Sequence, residues 1–365
     1  MSSRAPSIAI LIAAVATFGG LVIHGRGDIS RYAAGSLPAT LASDALANGG
    51  ARADTLVPLK ISMVFLGRPP VPKFAFDPAV PDRVVACSAV STDGGRTWPE
   101  LMAGVVVRPM ILGGLNAVAP VAGPDGRFLC GDMILPGAFV PASGLGDVHP
   151  ATEWDGQAFT AVGLATASDD YASKPRPTTG VAYTHDGQPI AARGRDLLVA
   201  QARYEAPGEI VAFAIDGRGR VVVAVRRGKE IHLMAADALG SAWTRVDAPG
   251  VVTDVVAVGE RIFVAADRLG IRDGDGAWRW RPWPAGLQPE RLSIVGDTVL
   301  AWGHLALGTS EAGALAVSRD GGETMRFAVL DQRPLWAALD PHRPNQALAI
   351  LDTRGQRQLV RLTID

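Results

Sequence analysis

Cysteine is nearly absent from this chain: Cys87 and Cys130 are the only two in 365 residues. Neither belongs to a Cys-x-x-Cys pair or a Cys/His cluster, so their spacing supports no zinc site. Histidine is scarce as well, and His149, His185, His232, His304 and His342 stand apart at no ligand spacing. They read as surface or turn positions. Charge of either sign is thin, at 19% with a formal net of −1, so the basic excess that nucleic-acid binding requires is missing. Beyond the N-terminal region no stretch sustains a 3.6-residue apolar period, which argues against helix-built folds. Serine- and histidine-based catalytic motifs are lacking. Gly217-Arg218-Gly219 sits in a hairpin turn rather than ahead of a helix, so it is no phosphate loop. Nothing in the chain calls for a cofactor. What is plentiful is apolar residues, 48%, with 42 glycines and 26 prolines. That excludes disorder and suits many short strands and turns.

Arg4 precedes an apolar run from Ile8 to Ile23. The run is slightly short for a membrane span and long for a signal-peptide core. Ala14-Val15-Ala16 falls inside it and Ala51-Arg52-Ala53 lies far downstream, so neither fits a cleavage site well. The expectation is an uncleaved membrane anchor over residues 1–24, with a cleaved signal peptide as the alternative. A linker rich in Ala, Ser and Gly follows over residues 25–54. Both alternatives place residues 55–365 outside the cytoplasm, in the periplasm or at the cell surface. That compartment allows a Cys87–Cys130 disulfide. Two buried free thiols on neighbouring strands are the other option, and the sequence leaves both open.

Residues 91–98 read Ser91-Thr92-Asp93-Gly94-Gly95-Arg96-Thr97-Trp98, a match to Ser/Thr-x-Asp-x-Gly-x-Thr-Trp. A second copy, Ser318-Arg319-Asp320-Gly321-Gly322-Glu323-Thr324, departs only at Met325. The chemistry is that of a tight hairpin. The aspartate accepts hydrogen bonds from backbone N–H groups of its own turn, and the glycines supply positive φ angles. The chain resembles the Asp-box, or BNR, β-propellers, a group that includes sialidases, sortilin-type receptors and photosystem-assembly factors. The resemblance implies that Ser91, Asp93, Gly95, Thr97 and Trp98, like Ser318, Asp320, Gly322 and Thr324, build corners between the third and fourth strands of a blade. Such corners lie away from the ligand face, so Asp93 and Asp320 are structural rather than catalytic. Weaker copies are Thr184-His185-Asp186-Gly187-Gln188, Asp273-Gly274-Asp275-Gly276-Ala277-Trp278, and Asp237 with Trp243.

An internal repeat points the same way. Phe76-Asp77-Pro78-Ala79-Val80-Pro81 pairs with Leu339-Asp340-Pro341-His342-Arg343-Pro344, each followed by an aliphatic strand. Related strand–turn–strand units place turns near 77, 124, 216, 258, 296 and 340, mostly about 40 to 47 residues apart. A degenerate unit near 165–172 would fill the one double gap. The expected fold is all-β, a propeller of seven four-stranded blades, with six or eight as alternatives. Leu56–Phe65 is expected to close the ring onto the blade formed by Ala337–Leu362, removing an open edge.

Function is less legible. The sialidase chemistry of the resembled group needs an arginine triad for a carboxylate, a tyrosine activated by a glutamate, and an acid/base carboxyl. Arg68, in Gly67-Arg68-Pro69-Pro70, is the nearest match to the first arginine's motif and lacks its isoleucine. Tyr204 and Glu205 are adjacent, so in a strand they point to opposite faces. Arg226 and Arg227, with Lys229, form the densest basic run, either a partner patch or a solvated hairpin. Trp278 and Trp280 share one strand face, fit either to stack on a sugar or to pack on the next blade. The expectation is a non-catalytic binding or assembly module for a protein or glycan partner, on the membrane through its N-terminus and with no nucleic acid. A glycoside hydrolase using central-face carboxylates is the alternative.

Overall fold

Short aliphatic runs broken by glycine turns wind into seven sheets. The computed structural model describes residues 57–59, 61–67, 73–87, 89–99, 106–107, 118–134, 149–164, 178–307, 310–353 and 355–365. The anchor and linker expectations and the unit expected near 165–172 lie outside these. Each sheet is one blade of an antiparallel seven-bladed propeller. In chain order, the innermost strands are Ala75–Phe76 in blade 1, Val121–Ala122 in blade 2 and Thr178–Tyr183 in blade 3. Glu209–Ile215, Asp254–Val258, Leu287–Val295 and Arg333–Asp340 follow in blades 4 to 7.

Period-2 alternation explains how the blades stack. Along Val221–Arg227, Val221, Val223 and Val225 pack against blade 3, whereas Val222 and Ala224 pack against blade 5. The described core accordingly divides into seven apolar clusters, one at each junction of the ring. Cys87 and Cys130 form a disulfide joining blades 1 and 2, with their Cα atoms 5.6 Å apart.

The N-terminal strand closes the ring in two steps. Val57–Pro58 pairs in parallel with the outer strand Arg326–Leu330 of blade 6. Ile61–Gly67 then pairs antiparallel with Gln356–Ile364, from Ile61↔Ile364 to Gly67↔Leu359 with a bulge between Phe65 and Gly67. Blade 7 thus takes its fourth strand from the other end of the chain, and Leu59 and Ile61, each 2% exposed, enter the core between blades 6 and 7.

The turn of blade 3 differs from expectation. Thr184–Gln188 joins the first strand, Thr178–Tyr183, to the second, Pro189–Arg193, and is not a third-to-fourth corner. The local chemistry is nonetheless alike: Gln188 N–H donates to Thr184 Oγ1 at 2.9 Å, and the Thr184 hydroxyl donates to Asp186. A hydroxyl, an acid and a glycine therefore do not reveal which of the two turns they build.

Ser91–Trp98 and Ser318–Met325 do lie at third-strand ends. Asp93 Oδ1 accepts from Arg96 N–H and Thr97 N–H, both at 2.9 Å, and its other oxygen accepts from the Thr97 hydroxyl at 2.7 Å. Desolvation works upward on this carboxyl, but the bonds from Thr97, Ser91 and Arg96 together outweigh it and bring the pKa to about 2. Gly322 N–H donates to Ser318 Oγ at 2.7 Å and Thr324 N–H to Asp320 at 2.9 Å. Gly95 and Gly322 have φ of 89° and 94°, and a Cβ there would meet Leu348 or Leu269 at 2.8 and 2.7 Å. Only glycine fits.

Candidate functional site

Each innermost strand runs from the connection between blades to the first turn of its own blade. The first turns share one face with the corner turns, as backbone bonds between them show: Gly94 N–H to Asp82 O, Gly274 N–H to Glu260 O and Gly321 N–H to Asp297 O. Ion pairs stitch that face together. Arg220, 7% exposed at its side chain, binds the fully buried Asp216 and reaches Asp275 at 2.8 Å. Arg261 reaches Asp297 at 2.7 Å. This face is structural.

The opposite mouth of the axial channel is different. Asp254 is the first residue of its strand and so stands at this end. Its Oδ1 accepts from Arg291 Nη1 at 3.2 Å and its Oδ2 from Leu292 N–H at 2.9 Å, bonds that cross from blade 5 to blade 6. Burial raises the Asp254 pKa, against the pull of Arg291. Across the axis Lys73 precedes the first strand of blade 1, its Nζ 5.2 Å from the centre of the Trp336 ring of blade 7. Trp336 is firmly set. Its Nε1–H donates to Phe74 O at 2.9 Å, and Trp302 meets it edge-on with centroids 5.5 Å apart.

Lys73 is half-buried, and among the described residues no carboxylate stands within ion-pair distance of it. Burial first, and then the Arg291 charge, lower its pKa to about 8, while Asp254 draws it up. Beside Arg291, Glu290 accepts from Arg333 at 2.8 Å and lies 3.3 Å from His304 Nδ1. His304 is thus a strand residue facing Glu290, not the surface or turn position expected, and His232 likewise lies in the strand Glu230–Ala236. A groove of about 1200 Å³ between blades 5 and 6 runs past Gln288, Glu290 and His304 to Trp283 and Met325.

The residues singled out in the sequence stand elsewhere. Arg68 lies outside the described residues. Tyr204 and Glu205 are on the outermost strand of blade 3, where Glu205 pairs with Arg195 at 3.1 Å. Arg226 and Arg227 end the second strand of blade 4, held by Glu209 and by Pro207 O. Trp278 and Trp280 stack on each other, 5.7 Å between centroids, and pack against the core between blades 4 and 5. Of the described ones, only Arg226 is tied to the starting end of an innermost strand, through Glu209. A Tyr–Glu contact does exist, between Tyr183 and Glu153 at 2.8 Å, with Arg127 donating to both oxygens of that glutamate at 3.1 Å. Burial and Glu153 push the Tyr183 phenol strongly upward, the opposite of what a nucleophile needs.

No protein-family model matches the chain, and no curated protein matches it in sequence. Solved structures do. It is similar to the β-propeller domain of Myceliophteria thermophila Cps50 (Swd1), at 13% identity over 83% of this chain and 99% of that one, with a TM-score of 0.54. A catalytically inactive virginiamycin B lyase from Staphylococcus aureus, solved with quinupristin, gives 8%, 84%, 99% and 0.51. YCF48 from Cyanidioschyzon merolae gives 13%, 82%, 96% and 0.49. The likeness is one of fold. A likeness of fold does not fix an activity, so function has to be argued from the site.

Proposed function

We propose that the protein is a non-catalytic binding module of the Asp-box propeller type, exported and held at the membrane by its N-terminal segment, that takes a protein partner at the mouth of its axial channel. One observation carries this reading. The carboxylates described at that end of the innermost strands are already committed to cations, Asp254 to Arg291, Glu290 to Arg333 and Glu209 to Arg226. A glycosidase needs one carboxyl free to give a proton and another free to attack or to activate water. What the site leaves free is positive charge, on Lys73. Two features support export: the apolar run Ile8–Ile23 and a disulfide that suits an oxidising compartment.

The test is hydrolysis of a fluorogenic glycoside panel, sialoside included, by the purified full-length chain. No turnover is expected. Turnover that disappears on Glu290→Gln or Tyr183→Phe would overturn the binding reading. Cell fractionation checks the location, and recovery of the chain from the soluble cytoplasm would refute it.

A further inference from the structure

The two fullest boxes of the chain differ at their last position, and so does what surrounds it. In blade 1 that position is Trp98, which lies against Phe74 with ring centroids 6.2 Å apart and gives its Nε1–H to Gly95 O at 3.0 Å. In blade 6 it is the smaller Met325, half-buried in the wall of the groove of about 1200 Å³ between blades 5 and 6. Met325 leads directly into Arg326–Leu330, the strand that carries Val57–Pro58 in parallel along its outer edge. Val57 stands opposite Arg326, and Leu59 N–H donates to Phe327 O at 2.8 Å, so the two chains advance together. Along Arg326–Leu330 the side chains alternate. Phe327 and Val329 pack with Met325 between blades 5 and 6, and Ala328 and Leu330 pack between blades 6 and 7. Leu59 and Ile61 belong to the second of these sides.

We infer that the Met325 end of this groove is the seat of the chain's own N-terminal segment, with Leu56 held against Met325 in the place that Trp98 fills in blade 1. The register leads there. Carried back one step beyond Val57, the parallel ladder sets Leu56 opposite Met325. Leu56 is also an odd number of steps from Leu59, so an extended chain turns it to the other side of blade 6, the side of the groove. The occupant is apolar, and Trp283, Leu287 and Met325 give it an apolar wall. A leucine there restores the bulk that the box of blade 6 lacks. Because the segment enters at the corner end of blade 6, it leads off from the corner-turn face and away from the channel mouth. The inference stands on the ladder and the groove, independently of the binding reading.

Trypsin tests it on the full-length protein, because Arg52 lies just ahead of Leu56 in the same segment. The rate of cutting after Arg52, followed by mass spectrometry, is compared with that of a synthetic peptide of residues 45–58. The protease acts on the released segment, so the folded protein should be cut about 10- to 100-fold more slowly, the worth of one buried leucine side chain. Leu56→Asp should restore most of the peptide's rate. Met325→Trp should do the same by a different route, since it rebuilds the box of blade 1 and fills the seat. Circular dichroism checks that each variant keeps its sheets. Cutting of the wild type at the peptide's rate would overturn the inference. So would slow cutting that a folded Leu56→Asp or a folded Met325→Trp leaves unchanged, because the segment would then be held elsewhere. Those results would leave the binding reading standing, since that reading fails on glycoside turnover instead.

Discussion

Replacing Lys73 with methionine should make the protein more stable at neutral pH, although it removes a charged contact. The ammonium carries a pKa of about 8 in the fold against 10.5 when unfolded. That difference of about 2.5 units sets an upper limit of about 3.4 kcal/mol on the cost of keeping Lys73 charged in the native state. The side chain is half-buried, so solvent screening brings the figure nearer about 2 kcal/mol. Loss of the contact with Trp336 gives back about 0.5–1 kcal/mol, which leaves methionine ahead by about 1–1.5 kcal/mol. The sign of the pH dependence follows from the lowered pKa. Between pH 8 and 10.5 the unfolded chain holds the proton and the folded one does not, so the wild type gains stability as pH rises through this window. Below about 8 both states are charged and the full penalty stands. Urea unfolding of both proteins at pH 7 and at pH 10.5 is the assay. The advantage of Lys73→Met should be greatest at pH 7 and be gone at the alkaline end, where the penalty of about 2 kcal/mol is lifted from the wild type. A gap independent of pH, or a less stable Lys73→Met at pH 7, would refute the view of Lys73 as an uncompensated cation.

Asp93→Ala should cost about 1–2 kcal/mol in chemical unfolding, the worth of charge-assisted bonds at a screened corner. With the native pKa down at about 2, this difference should be complete above the unfolded value of 3.8 and fade as pH falls towards 2. Breaking the Cys87–Cys130 bond, which closes a separation of 43 residues, should cost about 4 kcal/mol on the loop-entropy argument. Unfolding with and without reductant measures it. Arg220→Ala strands the fully buried Asp216 and should cost about 3–5 kcal/mol. Adding Asp216→Ala should recover most of that loss, and a double variant as unstable as Arg220→Ala would show that the ion pair is not the cause.

Much of the ring was legible because a turn's chemistry is local. Asp77-Pro78 and Asp340-Pro341 announce their reversals within a few residues, and each aspartate is then found bonding its own turn, Asp77 to Ala79 N–H and Asp340 to His342 N–H. The count of seven followed from the spacing of such turns. The same locality misled at Thr184–Gln188, where a corner's chemistry occupies a first turn. It also hid the seventh unit, because the first turns of blades 2 and 3 are much farther apart than those of blades 3 and 4. A repeat length is a property of the blade only where the chain between turns carries nothing extra.

The channel mouth was illegible for the opposite reason: its chemistry is not local at all. Lys73 sits in a proline-rich stretch and Arg291 inside an ordinary strand, and neither spacing nor motif links them to Asp254 or Trp336. They meet because the ring closes. Ile61–Gly67 bonds to Gln356–Ile364 as the fourth strand of blade 7, and the chain must then cross to begin blade 1. Lys73 lies on that crossing, where Trp336 Nε1 bonds Phe74 O. The lysine there lies over the Trp336 ring of the last blade. In a chain whose blades are alike, the junction of first and last blade is the place where the repeat is broken by construction, so it can carry a charge that has no ion-pair partner among the described residues.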